Sequence, residues 1–331
     1  MPLEPMQDQF GRMITYLRIS VIDKCNLRCV YCMPNGLTTR SRFLELLTNE
    51  ELLTLGRIFA DLGIQKIRLT GGEPLLRPGL VGLIRQLAEI PGIRQLALST
   101  NGVLLKRHAQ DLKRAGLDRI NISLDTLSAE RFVRITGMDQ WQAVIDGIFA
   151  AKEADLSPVK LNTVIMNGVN DDEILSLVDF AIAQALEIRF IEWMPTNPLV
   201  NTERDHRFFS NAITQARIEE RHHLIADDPD PASPARSFRI QGTNARVGFI
   251  NPLSNYFCAR CNRIRLKVNG CIKTCLHGRE ELDLKALLRN GTPHEIIARQ
   301  IATAVFLRPE QHFLNRPEIA HNDFVMTHVG G

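Results

Sequence analysis

The segment from Cys25 to Cys32 reads C-N-L-R-C-V-Y-C and places three cysteines within eight residues. Cys29 follows Cys25 by four positions, and Cys32 follows Cys29 by three. A [4Fe–4S] cluster has four irons and is usually held by cysteines, so three local thiolates would leave one iron open to a small chelating molecule. Zinc also binds cysteine, commonly through paired C-x2-C units. A zinc site with a distant fourth ligand, or ordinary buried thiols, are therefore the alternatives to an iron–sulfur cluster.

Around this segment, short runs rich in Ile, Leu and Val alternate with helix-like patterns. Strands are predicted over residues 14–21, 66–70, 94–99, 119–124, 159–165 and 188–193. Helices are predicted over residues 48–62, 80–89, 104–115, 128–134, 141–153 and 171–185. In the first helix, Thr48 and Glu51 have the spacing of a capping box. Repeated β/α units predict parallel strands with right-handed crossovers, and we expect these strands to be buried on both faces.

The β/α pattern alone fits both an open doubly wound sheet and a barrel. The cysteine segment directly after the first strand favours an α/β fold with an incomplete (β/α)6 barrel, over residues 10–225. The pattern stops after Trp193, and residues 226–237 contain three prolines and are typical of a loop. We predict that residues 226–331 form a C-terminal α+β extension that closes the barrel. Its predicted helices span 282–289 and 293–304.

Composition limits the class of protein. The chain has 331 residues, 44% of them apolar, enough for one barrel-sized domain with an extension or for two domains. A net charge of +3 is too small to indicate nucleic acid or an anionic membrane as a partner. No apolar run approaches the ~20 residues of a membrane helix, and the first residues lack a secretory signal pattern. Seven cysteines in two groups are typical of metal ligation rather than disulfides, so we expect a cytoplasmic protein.

Polar motifs follow the predicted strands, where parallel α/β folds bind their ligands. T-G-G-E-P, at 70–74, follows the second strand. Its glycines would let the backbone approach a ligand and expose N–H groups to a carboxylate, although a plain tight turn explains them equally. S-T-N-G at 99–102 and N-I-S-L-D at 121–125 follow the next two strands. Each alone is as typical of strand-end capping as of a ligand contact.

Three cations lie within predicted strands: Arg18, Arg68 and Lys160. Burying an unpaired charge is costly, so each should meet an anion or an internal salt bridge. Alternation places Lys160 and Asn162 on one face of their strand. Three cations on one side of the fold indicate a polyanionic substrate such as a phosphate ester.

A second group of cysteines, Cys258, Cys261 and Cys275, has the spacing C-x2-C-x13-C. This spacing alone is often a zinc site, and Cys271 would complete four thiolates. The first cysteine triplet upstream favours a second iron–sulfur cluster instead. Arg263 and Arg265 stand two residues apart, so an extended segment would direct both to one side as a fork for phosphate, unless they form a solvated face.

These motifs resemble the radical S-adenosylmethionine (SAM) enzymes, whose C-x3-C-x2-C signature has an aromatic residue before its last cysteine, as Tyr31 stands here. Longer segments, among them I-R-L-T-G-G-E-P, F-C-A-R-C-N-R-I-R-L and the final Gly330-Gly331, resemble the GTP 3′,8-cyclase family of molybdenum cofactor biosynthesis. The resemblance covers about Phe10 to the last residue. It implies a lyase in which SAM yields a 5′-deoxyadenosyl radical. That radical takes the 3′ hydrogen of GTP, and the product is 3′,8-cyclo-7,8-dihydro-GTP.

The resemblance also implies roles for individual residues. The first [4Fe–4S] cluster would be held by Cys25, Cys29 and Cys32, and SAM contacted by Tyr31, Gly72, Ser123 and Met194. GTP would be contacted by Arg18, Arg68, Ser99, Lys160, Arg263, Ile264 and Arg265. The second [4Fe–4S] cluster, whose open iron binds guanine, would be held by Cys258, Cys261 and Cys275. The catalytic set would be Arg263, Arg265, Gly330 and Gly331.

Implied partners are a flavodoxin- or ferredoxin-like electron donor and a downstream cyclic pyranopterin monophosphate synthase; a homodimer is compatible with the family. Two positions depart from its pattern. Ser99 stands where threonine is common, and Cys271 is an extra thiol that we interpret as a bystander. The alternatives are a radical SAM enzyme that modifies a peptide with the help of an auxiliary cluster, and a zinc-stabilised binding protein.

Overall fold

A computed structural model describes residues 5–32, 46–194, 204–227, 233–278, 281–312 and 326–330. The first six strands are β1 Tyr16–Ser20, β2 Lys66–Thr70, β3 Gln95–Thr100, β4 Arg119–Ser123, β5 Val159–Ile165 and β6 Glu187–Glu192. The helices among them are α1 Asn49–Asp61, α2 Leu80–Ala88, α3 Leu105–Arg114, α4 Ala129–Thr136, α5 Trp141–Glu153 and α6 Ile174–Gln184. The predicted alternation is therefore confirmed. Most bounds differ by one or two residues from the prediction, and α6 is preceded by a 3₁₀ turn over Asp171–Glu173.

The later elements follow no simple alternation. They are α7 Arg204–Arg207, α8 Asn211–Glu219, β7 Leu224–Ala226, β8 Ala235–Ile240, β9 Arg246–Ile250, β10 Arg263–Leu266, β11 Cys271–Lys273, β12 Leu282–Asp283, α9 Leu284–Arg289, α10 His294–Phe306 and α11 Met326–Val329. Two details correct the sequence analysis. β8 begins at Ala235, inside the predicted loop, and the predicted helix over 282–289 begins with the two residues of β12.

All twelve of these strands form one mixed sheet, in the order β12-β11-β10-β1-β2-β3-β4-β5-β6-β9-β8-β7. Strands β1 to β6 are parallel neighbours in chain order, as predicted. β10 pairs in parallel with β1, and β9 pairs in parallel with β6. The C-terminal strands thus extend both edges of the central sheet, and the segment with the second cysteine group lies directly beside β1.

The two faces of this sheet differ in chemistry. One face is apolar and fully buried, as Leu17, Ile67 and Leu161 show. The opposite face, which we call the polar face, carries Tyr16, Arg18, Lys66, Arg68, Ser99, Arg119, Asn121, Ser123, Lys160, Asn162, Glu187, Arg189, Arg263 and Arg265. The expected burial on both faces is confirmed for β1 and β2, but the second buried face is polar rather than apolar. The strands alternate because only one face packs in the hydrophobic core.

Local signals in the helices follow the sequence closely. In α1, Thr48 Oγ1 accepts a hydrogen bond from the Glu51 N–H at 3.1 Å, and the Thr48 N–H donates to Glu51 Oε2 at 2.8 Å. The predicted capping box is confirmed. Across the ranges that the structure describes, no helix combines the length and apolar character needed to span a bilayer.

Candidate active site

The first cysteine group lies in the loop after β1, and its three thiols are partly buried. Burial raises the pKa of Cys25, and burial together with the neighbouring Cys32 and Cys25 raises that of Cys29 well above its ordinary value. Burial and Cys25 raise the pKa of Cys32 to about 12. The three thiols therefore lie close to one another in buried surroundings, where deprotonating all three without a compensating positive charge is unfavourable. A cationic iron core would supply the missing positive charge, so this donor set fits an iron–sulfur cluster.

The glycine turn after β2 supports this loop through its backbone. The Gly72 N–H donates to the Ile22 carbonyl at 2.6 Å, and the Glu73 N–H donates to the Lys24 carbonyl at 2.8 Å. A Cβ on Gly72 would lie 2.3 Å from the Lys24 carbonyl oxygen, so only glycine fits. The Gly72 N–H is thus engaged with the chain that leads into Cys25, which fits the alternative of a tight turn at this position.

The Glu73 side chain links this turn to the end of β3. Its carboxylate is fully buried and accepts hydrogen bonds from Thr100 Oγ1 and from the Asn101 N–H, both at 2.7 Å. Burial raises the pKa of Glu73 to about 7, although these donors oppose the shift. Asn101 Nδ2 in turn lies 3.7 Å from Cys25 Sγ. Neither residue was predicted to belong to the site, although Glu73 lies in the motif G-G-E-P and Asn101 in the motif S-T-N-G.

The aromatic residue of the cysteine motif is fixed by the end of β4. Tyr31 Oη donates to Asp125 Oδ2 at 2.7 Å, and the Val164 N–H donates to Asp125 Oδ1 at 2.8 Å. Burial raises the pKa of Asp125 to about 6. Asp125 was quoted as part of N-I-S-L-D but received no role. Ser123, the last residue of β4, is exposed on the polar face.

The end of β6 reaches the same loop. Tyr31 packs against a small buried cluster that contains Trp193 and Met166. Trp193 directly precedes Met194, which is partly buried just after β6. The ends of β2, β3, β4 and β6 therefore converge on the first cysteine group, as ligand sites in parallel folds do.

A row of positive charge crosses the polar face beside this loop. Strand register aligns Lys273 with Arg265, Arg265 with Arg18, Arg18 with Arg68, and Arg68 with Arg119 through Ala97. We call these five cations the cationic row. Burial and the neighbouring Arg265 hold the pKa of Arg18 well below its ordinary value, and burial with Arg263 lowers that of Arg265 to about 10. Such a concentration of buried positive charge favours a polyanionic ligand.

Tyr16 organises the arginines next to the cationic row. Arg68 Nε donates to Tyr16 Oη at 2.6 Å, and Arg68 Nη1 donates to Ser99 Oγ at 3.2 Å. Burial raises the pKa of Tyr16, but Arg68 and Arg18 outweigh it and lower the value to about 7. The Arg263 guanidinium lies 5.9 Å from the centre of the Tyr16 ring. Tyr16 was missed, although it stands two residues before Arg18 and so shares its strand face.

Lys160 forms an internal ion pair. Its Nζ binds Glu187 Oε2, and Arg189 Nε binds Glu187 Oε1 at 2.6 Å. Burial and Arg189 lower the pKa of Lys160 to about 8. Of the two partners that the sequence left open, an anion or an internal salt bridge, the structure shows the salt bridge. Lys160 still lies on the polar face, beside Asn121.

The second cysteine group assembles next to β10. Cys258 begins a 3₁₀ turn that Cys261 caps, and Cys275 follows β11. Burial, together with Cys275 and Cys261, raises the pKa of Cys258. Burial raises the pKa of Cys261, but Arg263 and Arg308 reverse the shift and lower it overall. These effects show that the three predicted thiols are neighbours. Counting only the described residues, no three His, Cys, Asp or Glu side chains form a preformed site for a single metal ion.

Two predicted residues of this region lie apart from the thiols. Burial raises the pKa of Cys271, and the acidic neighbours that add to the shift are Asp283 and Glu281 rather than another cysteine. The Ile264 side chain is fully buried in the hydrophobic core, on the face of β10 opposite Arg263 and Arg265. Only the backbone of Ile264 can therefore meet a ligand on the polar face.

The C-terminal tail connects the cysteine loop with the cationic row. The Thr327 backbone hydrogen-bonds the Cys32 thiol, and Arg265 Nη1 donates to the Gly330 carbonyl at 2.5 Å. Gly330 has φ +75°, and a Cβ there would lie 2.2 Å from Thr70 Cγ2. Gly330 therefore fits a space that excludes other side chains. Gly331, predicted as its partner, lies outside the described residues.

Two family models cover most of the chain. The Radical SAM superfamily model matches residues 19–181, and the Molybdenum Cofactor Synthesis C model matches residues 186–314. A GTP 3′,8-cyclase of Alkaliphilus metalliredigens is 42% identical over 98% of this chain and 100% of its own length. A GTP 3′,8-cyclase of Moorella thermoacetica is 46% identical over 93% of this chain and 95% of its own length.

Solved structures share the fold at low sequence identity. The crystal structure of Streptococcus suis SuiB bound to S-adenosylmethionine has a TM-score of 0.59 and 16% identity, over 87% of this chain and 68% of that one. SuiB bound to its precursor peptide SuiA has a TM-score of 0.58 and 15% identity, over 92% of this chain and 73% of that one. At this identity the likeness concerns the α/β fold alone.

Proposed function

Since this chain belongs to the GTP 3′,8-cyclase family of radical SAM enzymes in molybdenum cofactor synthesis, we propose that its polar face binds GTP beside the first cysteine group. The reaction is that of a lyase, which converts GTP to its isomer 3′,8-cyclo-7,8-dihydro-GTP. The observation that carries this proposal is the tail, which contacts Cys32 at one end and Arg265 of the cationic row at the other. One short segment therefore contacts both the cysteine group that would hold the radical-generating cluster and the arginines that would bind the phosphates of GTP.

The first cysteine group would hold a [4Fe–4S] cluster through Cys25, Cys29 and Cys32. With SAM bound, that cluster supplies a 5′-deoxyadenosyl radical by one-electron cleavage of a carbon–sulfur bond. The chain's part is to orient SAM. We assign its contacts to Tyr31, Gly72, Ser123 and Met194. The hydrogen bond from Tyr31 to Asp125 fixes the aromatic ring, and the buried surroundings keep water from a reactive carbon centre.

The cationic row and its neighbours would bind the triphosphate and ribose of GTP. Arg18, Arg68, Arg263 and Arg265 supply charge, Ser99 supplies a hydroxyl beside Arg68, and Ile264 contributes its backbone. Because the Arg68 guanidinium is already held by Tyr16 and Ser99, it is positioned before the ligand arrives. Lys160 would meet the ligand while it remains paired with Glu187.

The second cysteine group would hold another [4Fe–4S] cluster through Cys258, Cys261 and Cys275. Three thiols would leave one iron open to guanine. Cys271 would stay a bystander, because its electrostatic neighbours are acidic side chains. Register places β10, with Arg263 and Arg265, between this group and β1. GTP would therefore lie between the two clusters, with Gly330 and Gly331 reaching in from the tail.

The architecture would be an incomplete (β/α)6 barrel over residues 10–225, with residues 226–331 closing it. The parallel pairing of β10 with β1 and of β9 with β6 supports this reading, because both edges of the six-stranded core are covered by C-terminal strands. We place the enzyme in the cytoplasm, with a flavodoxin- or ferredoxin-like electron donor and a downstream cyclic pyranopterin monophosphate synthase as partners; a homodimer is compatible with this proposal.

The decisive test uses GTP deuterated at C3′, with SAM and dithionite under anaerobic conditions. We expect deuterium in 5′-deoxyadenosine and a product of the same elemental formula as GTP, because one hydrogen leaves C3′ and one electron and one proton enter the purine. Arg265→Ala should abolish this product while the first cluster keeps its EPR signal. Unlabelled 5′-deoxyadenosine with unchanged GTP would contradict the proposal and favour a peptide substrate.

A further inference from the structure

Arg308 lies just beyond the end of α10 and is only 3% exposed. Its Nη1 donates to the Cys261 carbonyl at 2.8 Å, and its positive charge helps to lower the pKa of the Cys261 thiol. The Nε atom is buried and has no hydrogen-bond partner. The guanidinium is therefore directed at one residue of the second cysteine group, and part of its donor capacity is unused.

The charge of Arg308 has no acidic partner among the described residues, none of whose ion pairs includes it. Arg12 offers a contrast in the same region. It binds the Cys258 carbonyl at 2.8 Å, but its charge is balanced by Asp8 at 2.5 Å. A buried cation without a counter-ion is costly. Arg308 therefore needs a negative group, and an ionisable group on which its charge acts in the structure is the Cys261 thiolate.

The two cysteine groups differ in electrostatic surroundings. Glu73 acts on Cys25 and Asp125 acts on Cys29, so the first group has buried acidic neighbours in addition to one cation, Arg28, that also acts on Cys25. The second group has arginines, since Arg263 and Arg308 both act on Cys261. A cluster bound by three thiolates is negative, and reduction by one electron makes it more so. Nearby positive charge and hydrogen bonds to sulfur therefore favour its reduced state.

We propose that Arg308 is a positioning residue that holds an unbalanced positive charge against Cys261 and so favours the reduced state of the cluster in the second cysteine group. This inference rests on the proposed function, which places a cluster there. Reduction of this cluster is a one-electron transfer from an external reductant to the oxidised cluster, in which no bond is made or broken.

The test is an anaerobic redox titration of the cluster-loaded enzyme with dithionite and mediators, followed by EPR. The Cys258/Cys261/Cys275→Ser variant assigns the two signals, and the first cluster serves as an internal reference in every sample. We expect Arg308→Gln to lower the equilibrium constant for reduction of the second cluster at least tenfold, which is about 59 mV for one electron, and to leave the first unchanged. Arg308→Lys keeps the charge and should recover most of the shift.

Arg299→Gln is the matched control, because Arg299 is an exposed arginine of α10 whose charge is screened by solvent. It should move neither potential. An unchanged second potential in Arg308→Gln with full iron content would overturn the inference while the proposed function stands. If that variant does not hold the second cluster, Arg308→Lys decides: a potential close to wild type supports the inference, and a tenfold loss overturns it. A wild-type enzyme without a second cluster would overturn both.

Discussion

Replacing Gly330 by alanine should detach the tail from the cationic row. A Cβ at this position would lie 2.2 Å from Thr70 Cγ2, where ordinary contacts begin near 3.4 Å. The tail would have to move by about 1 Å, which would stretch the bond from Arg265 Nη1 to the Gly330 carbonyl from 2.5 Å to about 3.5 Å. At that length the hydrogen bond is lost.

The size of the effect follows from two terms. A hydrogen bond from a charged donor contributes about 1.5–3 kcal/mol. Alanine at the φ of +75° found here adds about 1 kcal/mol that glycine does not cost. Together they give about 3 kcal/mol, or roughly a 100-fold fall in the population with a docked tail. The rest of the fold contacts the tail only locally, so the melting temperature should change little.

The assay is the rate of GTP cyclisation at limiting GTP, with iron content and 5′-deoxyadenosine release measured in parallel. Gly330→Ala should lower kcat/KM for GTP about 100-fold at unchanged iron content. Thr70→Ser removes the clashing methyl group, so the double variant should regain about tenfold, whereas Thr70→Ser alone should behave as wild type. Wild-type kinetics in Gly330→Ala, or a double variant no better than the single one, would show that the contact between the tail and Arg265 does not control the use of GTP.

Three further changes test other parts of the site. Lys160→Met leaves Glu187 paired with Arg189, so the fold should persist while KM for GTP rises about tenfold, measured beside an unchanged EPR signal of the first cluster. Cys271→Ser should keep the iron content and activity of wild type; loss of half the iron would make Cys271 a ligand. Burial raises the pKa of Glu73 from 4.5 to about 7, so the folded protein holds this proton more tightly than the unfolded chain does. The resulting contribution to stability is complete below pH 4.5 and is lost as the pH rises through 7. Glu73→Gln should weaken that pH dependence of the melting temperature, and an identical slope would contradict the buried carboxyl.

Local signals in the sequence were sufficient for the first two thirds of the fold. β2, β5 and α5 have the predicted bounds, and the Thr48 cap forms as expected. These elements depend on hydrophobic periodicity and capping, which are short-range properties. The pairing of β10 with β1 joins segments that are far apart in the chain, so no local pattern could indicate it.

Candidate site residues could be picked out from the sequence where the residue type is rare at that position, such as a charged side chain within a buried strand or several cysteines in one short loop. The cysteines and strand arginines fall into this class. The structure groups the thiols and aligns the arginines across neighbouring strands, while their roles stay predictions. Partners were harder to predict. Glu187 balances Lys160 from the next strand, and Arg308 reaches Cys261 from beyond a distant helix. Such contacts depend on tertiary packing. Gly72 shows the same limit, because the hydrogen bond from its N–H to the Ile22 carbonyl depends on how the loop before Cys25 folds.

The most direct test of the account is iron and sulfide content with an EPR spectrum after anaerobic purification, for wild type and for the Cys258/Cys261/Cys275→Ser variant. We expect about eight irons per chain in wild type and about four in the variant, as for two cubane clusters. About four irons in wild type, or zinc bound at the second cysteine group, would contradict it.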